Sequence, residues 1–495
     1  MEKSEAGLGP IKYVRLDRKQ LRWEALDVEQ LISEDHAARL IWEVSGSLEL
    51  SGFEQEQKSR EGGSGRPCWP ARLLVSVWVY SYTLGVASAR AMERMMSHEP
   101  GLRWLAASET INHHTLADFR VGHKEALEGL FAQFLALLDE AGMVDLRTLM
   151  QDGTKVKAVA GRRSLHRRKT LEKRLRQAVR ELDRQAAEEE ALDERRRAAQ
   201  RRAAQEALAR AQVALKKLQK LEAATAPNQQ AALRVSDSEP EARKMKQPDG
   251  GWAPSYNVQI TTETQSRMIV GVRVTTAAND TQELLPALEK VAENCGELPA
   301  TIIADNGYAT RNNVERTSEQ DIELIAPWKE DRSREAGACA RNGIAAEFAP
   351  SVFRLQRGGQ RLLCPAGKSL VVIQQKTHHG VLKNVFAARK SDCRRCRWRR
   401  ACCGKSGASR RVERVVESPA MKRYLARMQR PAVRQLYRRR SEIAEFPHLW
   451  AKGVKNWRRF SVRGLLKAGL EALWVALSYN MAQWIRLRQV APAAA

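Results

Sequence analysis

The sequence predicts an α/β protein: a helical first third followed by a layer of short strands mixed with helices. Three observations lead there. Apolar residues recur at helical spacing through 28–41, 71–84 and 127–138, with no clear strand run among them. From about residue 146 the pattern changes to short β-type runs at 146–151, 256–261, 268–275, 301–304 and 322–326, with a helix expected over 281–294. Helical spacing returns over 421–443 and 463–488.

The chain has 495 residues, and 84 Lys plus Arg against 58 Asp plus Glu give a net charge of +26. Such an excess points to a polyanionic partner, either nucleic acid or an anionic membrane. A membrane span is not expected, because the apolar run 73–87 is too short and 465–485 carries Lys467 and Glu471. Met1-Glu-Lys-Ser-Glu-Ala6 lacks the apolar stretch of a signal peptide, so a cytoplasmic, nucleoid-associated protein is expected. The charge is local: residues 161–220 hold 19 basic against 9 acidic residues, and 391–440 hold 17 against 3.

Within the first third, residues 62–67 read as a loop before Pro70 opens a helix. Thr110-Ile-Asn-His-His-Thr-Leu-Ala-Asp-Phe-Arg120 fits either the start of a recognition helix or an ordinary packed helix. Two stretches interrupt the strand-rich part. Residues 161–225 are rich in Arg, Ala, Glu, Leu and Gln, with Leu171, Leu175, Ala178 and Leu182 spaced as a coiled-coil seam, repeated by Leu208, Ala211, Leu215 and Leu218. The seam is short, which favours an antiparallel helical hairpin, and 223–241 reads as the linker back to the core. The second interruption, 335–410, carries five of the eight cysteines, with strand-like runs at 370–375 and 385–390 between them.

Two acids follow apolar runs. Asp152 is followed by Gly153-Thr-Lys155, and Asp305 by Asn306-Gly-Tyr308. Acids at the carboxyl ends of strands, each before a glycine turn, point to a site at the edge of one sheet. A hard cation such as Mg²⁺ takes such oxygen ligands. The same spacing also fits plain strand-end turns.

Gln151-Asp-Gly-Thr-Lys-Val-Lys-Ala158, Ala304-Asp-Asn-Gly-Tyr-Ala309 and Leu436-Tyr-Arg-Arg-Arg-Ser-Glu-Ile-Ala-Glu445 resemble the three acid motifs of bacterial insertion-sequence DDE transposases. Trp457-Arg-Arg-Phe-Ser-Val-Arg-Gly464, continuing to Glu471 and Tyr479-Asn480, resembles the family's C-terminal helix. Gly65-Arg-Pro67, Trp104-Leu105 and His114-Thr-Leu-Ala-Asp-Phe-Arg120 resemble the helical domain placed before the catalytic core. The resemblance covers most of the chain except 161–225. It implies a ribonuclease-H-like mixed sheet core over 146–490 behind an all-helical DNA-binding domain over 1–145, with a coiled-coil insertion at 161–225 and a Cys-rich insertion at 335–410. In such a core the first acid lies on the central first strand, the second just after the fourth, and the third on a later helix.

The resemblance implies that Asp152, Asp305 and Glu445 are catalytic and hold two Mg²⁺ ions, one between Asp152 and Asp305 and one between Asp152 and Glu445. Glu442 competes for the third place, and Pro447 stands one position beyond the family's usual proline. Tyr437, Arg440 and Lys452 would contact phosphates of the element end, or else form a solvated basic face; His114 and Arg120 would contact DNA from the helical domain. Cys364, Cys393, Cys396 and Cys402, or Cys403 in place of the last, have the spacing of a structural Zn²⁺ site, the alternative being reduced thiols in a small β insertion.

The reading that follows is a Mg²⁺-dependent transposase, acting as a homodimer on element ends and target DNA. A zinc-containing DNA-binding protein without catalysis, or a ribonuclease-H-like nuclease that does not join strands, remain alternatives.

Overall fold

The computed structural model describes residues 19, 25–55, 67–187, 194–328, 332–356, 359–378 and 380–490. Gly65 and Arg66 of the expected loop lie outside these. The architecture is mixed α/β with a helical N-terminal region. Six helices come first: α1 (Ala37–Ser47), α2 (Ala71–Thr83), α3 (Ala89–Met95), α4 (Pro100–Leu105), α5 (His113–Gly122) and α6 (Lys124–Glu140). The run expected over 28–41 divides into a 3₁₀ turn, Val28–Leu31, and α1, which starts where the His36 ring accepts the Ala38 N–H at 3.2 Å. α2 is buried on every side from Leu73 to Tyr82, as its all-round apolar sequence requires.

The central sheet has six strands: β1 (Thr148–Lys157), β2 (Arg243–Lys246), β3 (Trp252–Glu263), β4 (Ile269–Thr275), β5 (Thr301–Ala304) and β6 (Glu323–Ile325). β3 lies antiparallel to β1, and β2 and β4 share its far edge. On the other side of β1, β5 and then β6 run parallel. Helices α9 (Leu284–Cys295) and α10 (Arg311–Glu319) cross over between the parallel strands. β1 departs from expectation: it continues through Asp152 and Gly153 to Lys157, so Asp152-Gly153 is mid-strand and not a turn. Its final residue gains a further partner, since Lys157 exchanges backbone hydrogen bonds with Arg458 and Phe460 at 3.1 and 2.8 Å.

Two helices, α7 (Arg168–Ala187) and α8 (Glu194–Ala223), leave the sheet after β1 and return before β2. Leu171, Ala214, Leu215 and Leu218 close their seam, and Arg168 pairs with Glu222 at its base. In the return tract 223–241, expected as a linker, Val235, Ser236 and Glu239 are buried. The Glu239 carboxylate accepts from the Ala160 N–H, the Tyr256 hydroxyl and the Gly464 N–H.

The second interruption forms a five-stranded antiparallel meander: β7 (Arg354–Leu355), β8 (Arg361–Leu363), β9 (Ser369–His378), β10 (Val381–Ala388) and β11 (Arg411–Val415). The helix expected over 421–443 is broken. Pro431 drives Arg430 to an extended ψ of 131°, so Pro419–Met428 and Pro431–Arg438 are separate helices. α11 (Arg440–His448) then contains Pro447, and the missing N–H is followed by a π-helical turn, Leu449–Val454.

The last helix, α12 (Leu465–Val490), packs on α2, α5, α6 and β4. One apolar cluster therefore runs from Ile32 to Ile485, through both the N-terminal helices and the sheet. Asn480 finishes the edge of β4: its amide oxygen accepts from the Ile269 N–H and its amide nitrogen donates to the Ile269 carbonyl, both at 2.8 Å.

Arg120, expected to face DNA, sits inside this junction at 7% exposure. Its Nη1 donates to the Ala87 carbonyl at 2.6 Å and to Ser461 Oγ at 2.8 Å, and Ser461 Oγ donates to Glu471 Oε2 at 2.7 Å. Trp457 Nε1 and the Ser461 N–H complete the shell of the Glu471 carboxylate, whose burial pushes its proton affinity up against the pull of Arg120. Replacing Arg120 with Ala should therefore cost about 3 kcal/mol or more by stranding a buried carboxylate, read as a lower urea midpoint. The salt dependence of DNA binding should stay unchanged; a flattened slope with intact stability would return Arg120 to the DNA surface.

Candidate active site

β1 and β5 pair in parallel with Gln151 opposite Ala304, so Asp152 on β1 and Asp305, the first residue after β5, each come one step beyond that pair. Side chains alternate along a strand. Asp152 and Asp305 therefore share the face of Met150 and Ile303, against which Ile443 and Ala444 of α11 pack. That contact brings α11 across the two acids.

Asp152 Oδ1 accepts from the Gly153 N–H and from Arg440 Nη2, each at 2.9 Å, and Oδ2 lies 3.5 Å from His448 Nε2. Burial pushes the Asp152 carboxyl up, but the His448 ring, Arg440 and the Gly153 N–H together hold it below the ordinary carboxylate range. Asp305 goes the other way. Burial raises it, assisted by the charges of Asp152 and Asp280 and opposed by the Gly307 N–H, which donates to its Oδ1 at 2.7 Å, and by Arg440. The two carboxyls are thus pushed in opposite directions by their surroundings.

α11 does not bring the third acid in. Arg440, Ala444 and His448 lie at i, i+4 and i+8 and face the sheet, whereas Glu445 and Glu442 are exposed. Both glutamates instead line an adjoining cavity of about 1060 Å³ with Lys155, Lys157, Phe446 and Lys452. Lys452 is drawn onto β1, where its ammonium donates to Thr154 Oγ1 at 2.5 Å and to the Lys155 carbonyl at 2.7 Å. Burial, and then the charges of Lys155 and Arg458, bring Lys452 down to about 8. Tyr437 packs half-buried against the Met150 and Ile303 cluster, and burial raises its hydroxyl. His114 is exposed on α5, its ring 4.2 Å from that of His113.

Two residues near the acids escaped the sequence reading. His448 lies two turns after Arg440, so helical spacing from Arg440 points to it. Asp280 lies five residues beyond β4 with no glycine after it, so the criterion that singles out Asp152 and Asp305 does not reach it.

In the meander, Cys393 and Cys403 are buried in a small core with Cys364 and Cys402 against it, and Cys396 lines the same cavity of about 670 Å³. None of the eight cysteines is in a disulfide. Cys364 Sγ accepts the Lys368 N–H at 3.2 Å and Cys393 Sγ the Arg410 N–H at 3.5 Å. Burial pushes the Cys402 thiol up to about 12, and burial with the neighbouring Cys393 pushes Cys403 up to about 11. Among the described residues, no three His, Cys, Asp or Glu side chains are grouped so as to hold a metal ion, at the acids or at the thiols. Nor is any helix among them long and apolar enough to cross a membrane.

Residues 363–485, which include the five clustered cysteines and α11 but neither Asp152 nor Asp305, match the family model of a transposase DDE domain. Residues 26–122, covering α1 to α5, match that of a transposase domain (DUF772). No curated protein matches the chain significantly. The two matches, one towards each end of the chain, together support its place among the insertion-sequence DDE transposases.

Proposed function

We propose that the chain cleaves the ends of an insertion sequence and joins them to target DNA, using a ribonuclease-H-like core. The observation that carries this is that Asp152 and Asp305 each come one step after the paired Gln151 and Ala304 of two adjacent parallel strands, in a sheet where β1 has antiparallel β3 on one side and parallel β5, then β6, on the other. The donor set suits a hard divalent cation, because two carboxylates share one face and both ends of the pair are partly buried. Asp152 and Asp305 would hold Mg²⁺, with Glu445, exposed on α11, as the third acid. When bound, two such ions activate a water or a 3′ hydroxyl and stabilise the leaving oxygen of the phosphodiester.

The chain's own residues do the rest. Arg440 sits over Asp152 with a planar guanidinium able to take a phosphate in two hydrogen bonds. Tyr437 and Lys452 flank it, and His114 on exposed α5 is free to meet the DNA from the helical region. Synapsis of two ends calls for a homodimer, and the α7–α8 coiled coil is a candidate for holding it. Such a protein would work in the cytoplasm on the nucleoid. A specific observation favours the non-catalytic reading: the two oxygens of Asp152 face the Arg440 guanidinium and the His448 ring, and Glu445 is exposed.

Cleavage of end DNA decides between them. Asp152→Asn and Asp305→Asn should each lower Mg²⁺-dependent cleavage by about a thousandfold or more and leave end binding near normal. Retained cleavage in either variant removes the assignment, and cleavage without joined products leaves a nuclease.

Lys452 supplies a pH test. Its ammonium is charged below about 8 and neutral above, so end binding should weaken between pH 7 and pH 9. Lys452→Arg keeps its charge throughout and should flatten that profile; parallel profiles would take Lys452 off the phosphate.

A structural Zn²⁺ at Cys364, Cys393, Cys396 and Cys402 is supported by their spacing and by the cavity that all four line. Metal analysis of the purified protein should then find about one zinc per chain, lost with the Cys393→Ser variant. A zinc-free protein that folds and binds DNA disposes of the site.

A further inference from the structure

A second polar cluster lies on the opposite face of the sheet from Asp152 and Asp305, and its centre is Asp280, in the connection between β4 and α9. Asp280 Oδ1 accepts from Asn257 Nδ2 at 2.6 Å, Gln259 Nε2 at 2.8 Å and Lys155 Nζ at 3.3 Å, and Oδ2 lies 3.4 Å from the same Lys155 nitrogen. Asn257 and Gln259 are fully buried on β3, opposite Lys155 and Gly153 of β1. A carboxylate in this position costs desolvation, and it is retained here with donors from both strands.

The cluster reaches both catalytic strands. Gln259 Oε1 accepts from Gln151 Nε2 at 2.8 Å and from the Tyr308 hydroxyl at 2.5 Å. Gln151 and Gly153 flank Asp152, and Tyr308 follows Asp305 by three residues. Gly153 is also where the network presses hardest on β1: a Cβ there would stand 2.5 Å from Gln259 Nε2, 2.6 Å from Asp280 Oδ1 and 3.0 Å from the Tyr308 oxygen.

The direction of the hydrogen bonds matters. An ionised carboxylate is acceptor-only. Asp280 therefore obliges Gln259 to present its NH₂, and so its carbonyl oxygen must face Gln151 and Tyr308. An amide at position 280 brings its own NH₂ against those of Asn257 and Gln259 and removes the fixed polarity from the chain of bonds.

We propose that Asp280 is a positioning residue for the reaction: through Lys155, Asn257 and Gln259 it fixes Gly153 and Tyr308 from behind and so sets the placement of Asp152 relative to Asp305. This rests on the reading of those two acids as the catalytic pair. Asp280 itself touches neither of them.

The test uses the full-length chain as Asp280→Asn and Asp280→Ala, with hydrogen exchange and steady-state kinetics on end DNA with Mg²⁺. Amides of 152–155 and 305–308 should exchange about tenfold faster, the size expected for losing one charge-assisted bond, while α2 and α12 keep their protection. kcat should fall about a hundredfold, as for a small misplacement of reacting groups, with KM for DNA within about threefold. Unchanged exchange at those two segments overturns the proposal, as does an unchanged kcat, or a KM that rises in step with the loss of kcat. If Asp280→Ala loses protection throughout, Asp280→Asn, which keeps the shape, decides. If the wild-type chain does not cleave end DNA, the catalytic reading fails separately, and the exchange result alone settles whether Asp280 holds the two segments.

Discussion

The arrangement depends on one strand being constrained on all four sides. β1 is bonded along one edge to β3 for nine residues and along the other to β5 for four, and its last residue is tied to Arg458 and Phe460. Its front face carries Asp152 and Thr154 beneath α11 and Lys452, and its back face carries Gln151, Gly153 and Lys155 in a buried polar network. A strand held in this way has almost no freedom to slip, because a one-residue shift would exchange the two faces. The position of Asp152 is therefore a property of the whole sheet and not of a local turn.

Much of this was legible in the sequence. Each expected strand run of the central sheet falls on or beside an observed strand, and the two aspartates stood out as acids following apolar runs. The misjudged extent of β1 has a plain cause: Gly153 after an acid reads as a turn, whereas here glycine is needed because Asp280, Gln259 and Tyr308 leave no room for a Cβ. Arg120 looked like a surface cation because its partners, Ser461 and Glu471, lie about 340 residues away and no local pattern announces them. The break in the expected long helix was visible as Pro431 and Pro447, but how the chain turns after each depends on what it packs against. β2 escaped notice because Arg243–Lys246 shows three basic residues out of four, and only pairing with Trp252–Ser255 makes it a strand.

Electrostatics explains the surroundings of Asp152 and Lys452. A buried carboxylate seeks donors and positive charge, and α11 supplies the Arg440 guanidinium and the His448 ring. The same two side chains thus do for Asp152 what a bound cation or a phosphate-engaged Arg440 would otherwise rearrange. Lys452 follows the same logic in reverse: a buried ammonium finds a hydroxyl and a carbonyl to donate to, at the cost of part of its basicity.

The helical excursion of α7 and α8 leaves and re-enters the sheet through a narrow neck. Leu165 and His166 pair with Val235 and Ser236, and the Ser164 and Ser236 hydroxyls are 2.8 Å apart. The two ends are thus fixed to each other whatever lies between them, and the entropy of closing an intervening segment rises by only about 0.6 kcal/mol for each doubling of its length. That makes the neck a natural splice point: this fold could lengthen, shorten or exchange the module beyond Ser164 and Ser236 without re-threading the sheet, gaining a new arm while the acids stay where they are.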